Sequence, residues 1–208
     1  MRKQNIKSVC SKCGGTGEII KKKINGKNKG NRGELLVCKI LTEKIGIGKF
    51  NRVPNSGSFG TSHSLSEEAQ LCLSGDLIAP TPDFIFSIEN KCGYDIDISK
   101  ILSINPQIKQ IESFLEQSCI DADRTNRIPM VIYSKDYRDP IVIIPLSGHS
   151  RESEISSICD KVNSYIIFKH EPKDFSQWNR WVIFVLNEFL EKTDSNFFLK
   201  DKKNDTKK

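Results

Sequence analysis

The sequence predicts an α/β fold with a mixed central sheet. Three observations lead there: a dense apolar run of helical length at residues 34–45, short β-rich runs that recur from residue 50 to residue 145, and one amphipathic helical stripe that interrupts them near residue 115. The first helix is expected from Glu34 to Ile45. Leu35, Leu36, Val37, Cys38, Ile40, Leu41 and Ile45 point to nearly every side of it, as in a buried helix. Asn31 can cap it, and Gly46 and Gly48 end it. Phe50-Asn51-Arg52-Val53 reads as a short strand and residues 54–60 as a loop. Asp76 to Ala79 and Phe84 to Lys91 read as two strands joined by the turn chemistry of Pro80-Thr81-Pro82-Asp83. A helix from Pro106 to Ala122 keeps Ile108, Ile111, Leu115, Cys119 and Ala122 on one face. Strands over 129–134 and 140–145 follow, around a polar turn. Beyond Gly148 the pattern gives a helix over 152–162, a strand over 165–168, and an amphipathic helix from Trp178 to Leu190.

The chain has 208 residues and a formal net charge of +6, which fits one domain with extensions. No apolar run approaches the ~20 residues of a membrane helix. No apolar stretch follows the basic start either, so the expected location is cytoplasmic (the host cytoplasm for a viral chain), without membrane or secretion. Seven cysteines, an odd number at irregular spacing, fit reduced thiols better than a disulfide framework. The charge is unevenly divided. Residues 1–33 hold ten Lys or Arg and one acid, residues 200–208 hold five Lys and two Asp, and the body between is left at −6. Basic arms on an acidic body suit a polyanion, because each Lys near a phosphate releases a condensed counterion. Lys21, Lys22 and Lys23 form the densest basic run and are the expected backbone grip on nucleic acid, whereas the last nine residues read better as a solvated tail. The expected organisation is a basic arm over 1–30, a core over 31–150, a helical extension over 151–199 and a disordered basic tail over 200–208.

Glu89 and Lys91 sit two apart on a strand and therefore face the same way. With the turn centred between Pro82 and Asp83, antiparallel pairing sets Asp76 opposite Glu89, where Cβ atoms stand roughly 4.5–5.5 Å apart. Two carboxylates that close repel unless a hard cation lies between them, and Mg²⁺ is held by one or two carboxylates plus water and phosphate. A lysine beside it can orient water and offset charge developing on phosphorus. A solvated Glu–Lys edge pair would look the same in isolation. Here the order of elements adds weight, as does Glu34 in the first turn of the upstream helix, available as a third carboxylate.

Taken together, the runs Gly30-Asn31-Arg32-Gly33-Glu34, Asn51-Arg52-Val53-Pro54-Asn55-Ser56-Gly57, Gly75-Asp76-Leu77-Ile78 and Ile88-Glu89-Asn90-Lys91 resemble the PD-(D/E)xK nuclease superfamily, most of all the archaeal and phage-type Holliday junction resolvases. The resemblance covers roughly residues 30–146. It implies a restriction-endonuclease-like core of the order αβββαβ and a Mg²⁺- or Mn²⁺-dependent endonuclease acting on branched DNA as a homodimer. It also implies Glu34, Asp76 and Glu89 as metal ligands, Lys91 as the catalytic lysine, and Arg32, Arg52 and Ser56 as DNA contacts. The literal Pro82-Asp83 pair would lie at the hairpin tip, away from Glu89, so Asp76 is the expected acid. The gap from Ser56 to Asp76 is longer than the family pattern leads one to expect. A restriction- or repair-type nuclease with the same core is the neighbouring reading.

One motif stands apart. Cys10 and Cys13 lie in Cys10-Ser11-Lys12-Cys13-Gly14-Gly15-Thr16-Gly17, the CxxCxGxG form of a zinc knuckle, resembling the repeat of Hsp40-type chaperone zinc domains. Structural zinc takes four ligands, so a site here would need His63, another cysteine or a second subunit. Together with the arm, a knuckle would also suit a non-catalytic nucleic-acid-binding protein. The remaining cysteines, at 38, 72, 92, 119 and 159, read as small apolar core residues.

Overall fold

Five strands make one sheet, in the spatial order Phe86–Cys92, Ile128–Ser134, Ile141–Pro145, Arg180–Val185 and Tyr165–Lys169, and helices cover both of its faces. The computed structural model describes residues 6–9, 16–19, 26–53, 75–102, 108–135 and 138–201. Cys10, Cys13, Lys21, Lys22, Lys23, Ser56 and His63 lie outside the described residues, as does the C-terminal tail after Asp201. Two short strands, β1 (Ile6–Val9) and β2 (Thr16–Ile19), pair antiparallel near the start of the chain, with Val9 opposite Thr16.

Helix α1 (Gly26–Ile45) begins upstream of Asn31. Asn31 therefore sits inside the helix and does not cap it; its Oδ1 accepts from Arg52 instead. The helix is also less evenly buried than its sequence implies. Val37, Cys38, Leu41 and Ile45 are buried, whereas Leu35 and Leu36 are 57% and 48% exposed, so only one face packs on the sheet.

Strand β3 (Asn51–Arg52) pairs antiparallel with β4 (Leu77–Ile78). Strand β5 (Phe86–Cys92) follows. The expected antiparallel hairpin between the Asp76 and Glu89 segments does not form. β4 is two residues long and gives its ladder to β3. Just before it, Gly75 makes an isolated parallel bridge with Ile88 of β5. Gly75 has φ +77°, and a Cβ there would stand 2.4 Å from the Ile88 carbonyl oxygen. Only glycine permits that approach.

A short 3₁₀ turn (Ile98–Leu102) leads to α2 (Lys109–Asp123) and then β6 (Ile128–Ser134). β5 and β6 run parallel, with α2 as the crossover that a parallel pair requires. β7 (Ile141–Pro145) pairs antiparallel with β6. α3 (Glu152–Cys159), β8 (Tyr165–Lys169), β9 (Arg180–Val185), α4 (Leu186–Glu191) and a 3₁₀ turn (Ser195–Phe198) complete the described elements. The segment expected as one helix from Trp178 to Leu190 is thus a strand followed by a short helix. The reason is visible in its packing: Trp181 and Ile183 enter the core under α2, while Val182 and Phe184 enter the core under α1. A strand buried on both faces loses the period-two alternation that would betray it. Insertion of β9 between β7 and β8 also brings residues after 150 into the central sheet.

Candidate active site

The site forms where three elements meet on β5. On one face, Gly33 lets α1 lie flush on the strand: a Cβ at Gly33 would fall 2.5 Å from Cys92 Cβ and 3.5 Å from Asn90 Nδ2. That contact carries Glu34, the next residue, to the strand, where it is 7% exposed. On the other face Glu89 and Lys91 point towards α2, as the pleat demands. Asp76 arrives from the β4 side. Its N–H donates to the Ile88 carbonyl and its Oδ2 accepts from the Asn90 N–H, both at 2.9 Å.

These are buried acids. Asp76 is 8% exposed and Glu89 2%. Burial, reinforced by the neighbouring Asp76 carboxylate, pushes the Glu89 carboxyl up to about 8, although Lys91 pulls the other way. Burial also raises Asp76; the Asn90 N–H and Lys91 oppose it, while the charges of Glu34 and Asp121 add to it. Asp121 on α2 is raised by burial as well. The Lys91 ammonium donates to Glu89 Oε1 and, at 2.9 Å, to Gln117 Oε1, and lies 5.3 Å from the Phe114 ring centroid. One cation thus faces several acids, an excess of negative charge with hard oxygen donors.

Glu34 is placed differently. Arg52 Nε donates to its Oε2 at 2.7 Å, and Arg52 Nη2 donates to Asn31 Oδ1 at 2.9 Å. The guanidinium expected on DNA therefore holds the first-helix carboxylate, while Arg32 projects from α1 exposed. Among the described residues no three His, Cys, Asp or Glu side chains form a group that could hold a metal ion. The donor set that remains, two buried carboxylates open to a third, fits a divalent ion of the Mg²⁺ kind, which keeps water and phosphate in most of its positions. Among the described residues no helix is long and apolar enough to cross a membrane.

Residues 25–200 match the model of a protein family described as "Phage putative PDDEXK endonuclease". The chain belongs to this family. It is also 33% identical over 116 residues to Protein D14 of Escherichia phage T5, an alignment that spans 54% of this chain and 66% of that protein, just under two thirds of its length. No solved structure matches. The family is described as one of PD-(D/E)xK endonucleases, and nucleases of that superfamily generally use divalent metal ions.

Asp76, Glu89 and Lys91 are brought together, with Glu34 close enough to act on the Asp76 charge. Gln117 and Asp121 were not foreseen. They stand four apart on α2, one turn of its polar flank, and only their placement over Lys91 gives them meaning. Cys38, Cys119 and Cys159 are buried free thiols, as their sequence contexts imply.

Proposed function

We propose that the protein is a metal-dependent DNA endonuclease that hydrolyses phosphodiester bonds and acts on branched DNA, as a Holliday junction resolvase does, in the cytoplasm and as a homodimer. One observation carries the reading: two buried acids, Asp76 and Glu89, meet beside the Lys91 ammonium on the strand that follows the Gly75 turn. Asp76 and Glu89 are the direct ligands in this reading, with Glu34 as the third carboxylate behind Arg52. When bound, Mg²⁺ or Mn²⁺ would activate water and neutralise charge on the scissile phosphate. The Asn90 N–H fixes the Asp76 carboxylate. Lys91 holds Glu89 in place, and its ammonium adds charge where the phosphorane would form. Arg32 and the Lys21, Lys22 and Lys23 run would grip phosphates, giving salt-sensitive and largely sequence-independent affinity. Two symmetric nicks require two sites, and two-fold oligomers are the commonest kind. Cys10 and Cys13 would hold zinc only with ligands from elsewhere.

The test is cleavage of a four-way junction, a flap and a linear duplex in Mg²⁺, with binding followed separately in Ca²⁺. Wild type is expected to cut the junction best, and Asp76→Asn, Glu89→Gln and Lys91→Ala to bind without cutting. Equal cutting of the linear duplex would assign a restriction or repair role. Binding without cutting in any divalent ion would assign a non-catalytic nucleic-acid-binding role.

A further inference from the structure

The site has a residue whose place is set by α2 alone. An ammonium carries three N–H donors. Two of those on Lys91 are taken, by Glu89 Oε1 and by Gln117 Oε1, and the Phe114 ring lies against the same group. Phe114 is itself fixed: it is 6% exposed and meets the Tyr94 ring edge-on at 5.0 Å. Lys91 keeps 14% of its side chain exposed, so the group is reachable from outside while its direction is set from below and from the side. A lysine on four rotatable bonds would otherwise sweep a wide arc.

Gln117 lies one helical turn beyond Phe114, so both reach the same point on β5. It is an exposed residue on the rim of the site. Nothing in the packing of α2 calls for a glutamine there; the sheet-facing positions are Ile111, Phe114, Leu115, Ser118, Cys119 and Ala122. Among the described residues, its side-chain hydrogen bond is to Lys91. From this geometry we infer that Gln117 is a positioning residue: its Oε1 and the Phe114 face hold the Lys91 ammonium so that one N–H stays directed at the substrate phosphate. This rests on the nuclease reading for its catalytic consequence but not for the contact itself.

Two variants separate positioning from structure. Gln117→Met keeps length and loses the acceptor; Gln117→Glu keeps the acceptor. Neither touches the buried face of α2, so both should fold. In single-turnover cleavage of the preferred DNA, Gln117→Met should slow the cutting step by roughly tenfold to a hundredfold, the usual cost of misplacing a catalytic group. Its affinity for the same DNA in Ca²⁺ should be unchanged, and Gln117→Glu should recover much of the rate. A second readout needs no cleavage: reductive methylation of the free protein, followed by mass spectrometry at Lys91, should run several-fold faster in Gln117→Met than in wild type or Gln117→Glu, relative to the other lysines. If wild type cuts no DNA but the labelling pattern holds, the nuclease reading fails and the Gln117 contact stands. If Gln117→Met labels and cuts like wild type, the positioning role is overturned.

Discussion

Asp76 accepts the backbone N–H of Asn90 at 2.9 Å, so the strand that carries Glu89 and Lys91 also anchors the acid that faces them. The relationship makes one carboxylate oxygen structural and leaves the other for chemistry. Asp76→Asn keeps an acceptor for Asn90 while removing a charge that adds to the effect of burial on Glu89. The expected outcome is a folded protein with no cleavage in Mg²⁺. In EDTA at pH 8 its thermal midpoint should equal or exceed that of wild type. A midpoint several degrees lower would show that the charge itself stabilises the fold.

The raised Glu89 carboxyl has a consequence for stability. Its folded value, about 8, stands above the 4.5 of an ordinary glutamate. A group raised on folding binds more protons in the native state, so its contribution is full below pH 4.5 and is lost as pH climbs through 8. Without divalent ions the protein should therefore lose stability between those limits. Saturating Mn²⁺ should offset the loss, with a larger gain in thermal midpoint at pH 8 than at pH 6. Equal gains at both pH values would contradict this.

Gly75→Ala tests the turn that delivers Asp76. The added methyl would meet the Ile88 carbonyl oxygen at 2.4 Å on a residue with φ +77°. Left-handed backbone alone costs roughly 1–2 kcal/mol for an L-residue, and the overlap adds to it. Urea unfolding should show a loss of about 2 kcal/mol or more, together with loss of cleavage. A neutral substitution would mean that the Gly75–Ile88 bridge is dispensable.

Arg52 gives a test that distinguishes a DNA contact from an internal partner. Its side chain is 28% exposed and that of Glu34 9%, so solvent screens the pair only in part. Arg52→Ala leaves a largely buried carboxylate without its main cation and should cost about 1–3 kcal/mol. Adding Glu34→Gln should restore most of that stability. Affinity loss on DNA with no change in stability would place Arg52 on the substrate instead.

The sequence made some of this legible for reasons that can be stated. Glu89 and Lys91 were readable because a strand's period of two is rigid, and α2 because Ile111, Leu115, Cys119 and Ala122 keep an unbroken stripe against the sheet. The register of Asp76 was not, because it depends on β4 choosing β3 as its partner, a long-range choice that turn arithmetic cannot see. Trp181 to Phe184 misled for the opposite reason: a strand with both faces buried offers no polar side to mark its period. The Arg52–Glu34 pair and Gln117 escaped because each is a tertiary contact between residues that are unremarkable in their own segments.

The most direct measurement is calorimetric titration of Mn²⁺ into the protein at pH 7, repeated in buffers of different ionisation enthalpy to count protons. With Glu89 lifted to about 8 by burial and Asp76 lifted as well, wild type should bind the ion with release of roughly one proton, and Asp76→Asn and Glu89→Gln should bind at least tenfold more weakly. Binding that leaves both variants unchanged, or no binding in wild type, would show that these two acids do not form the metal centre.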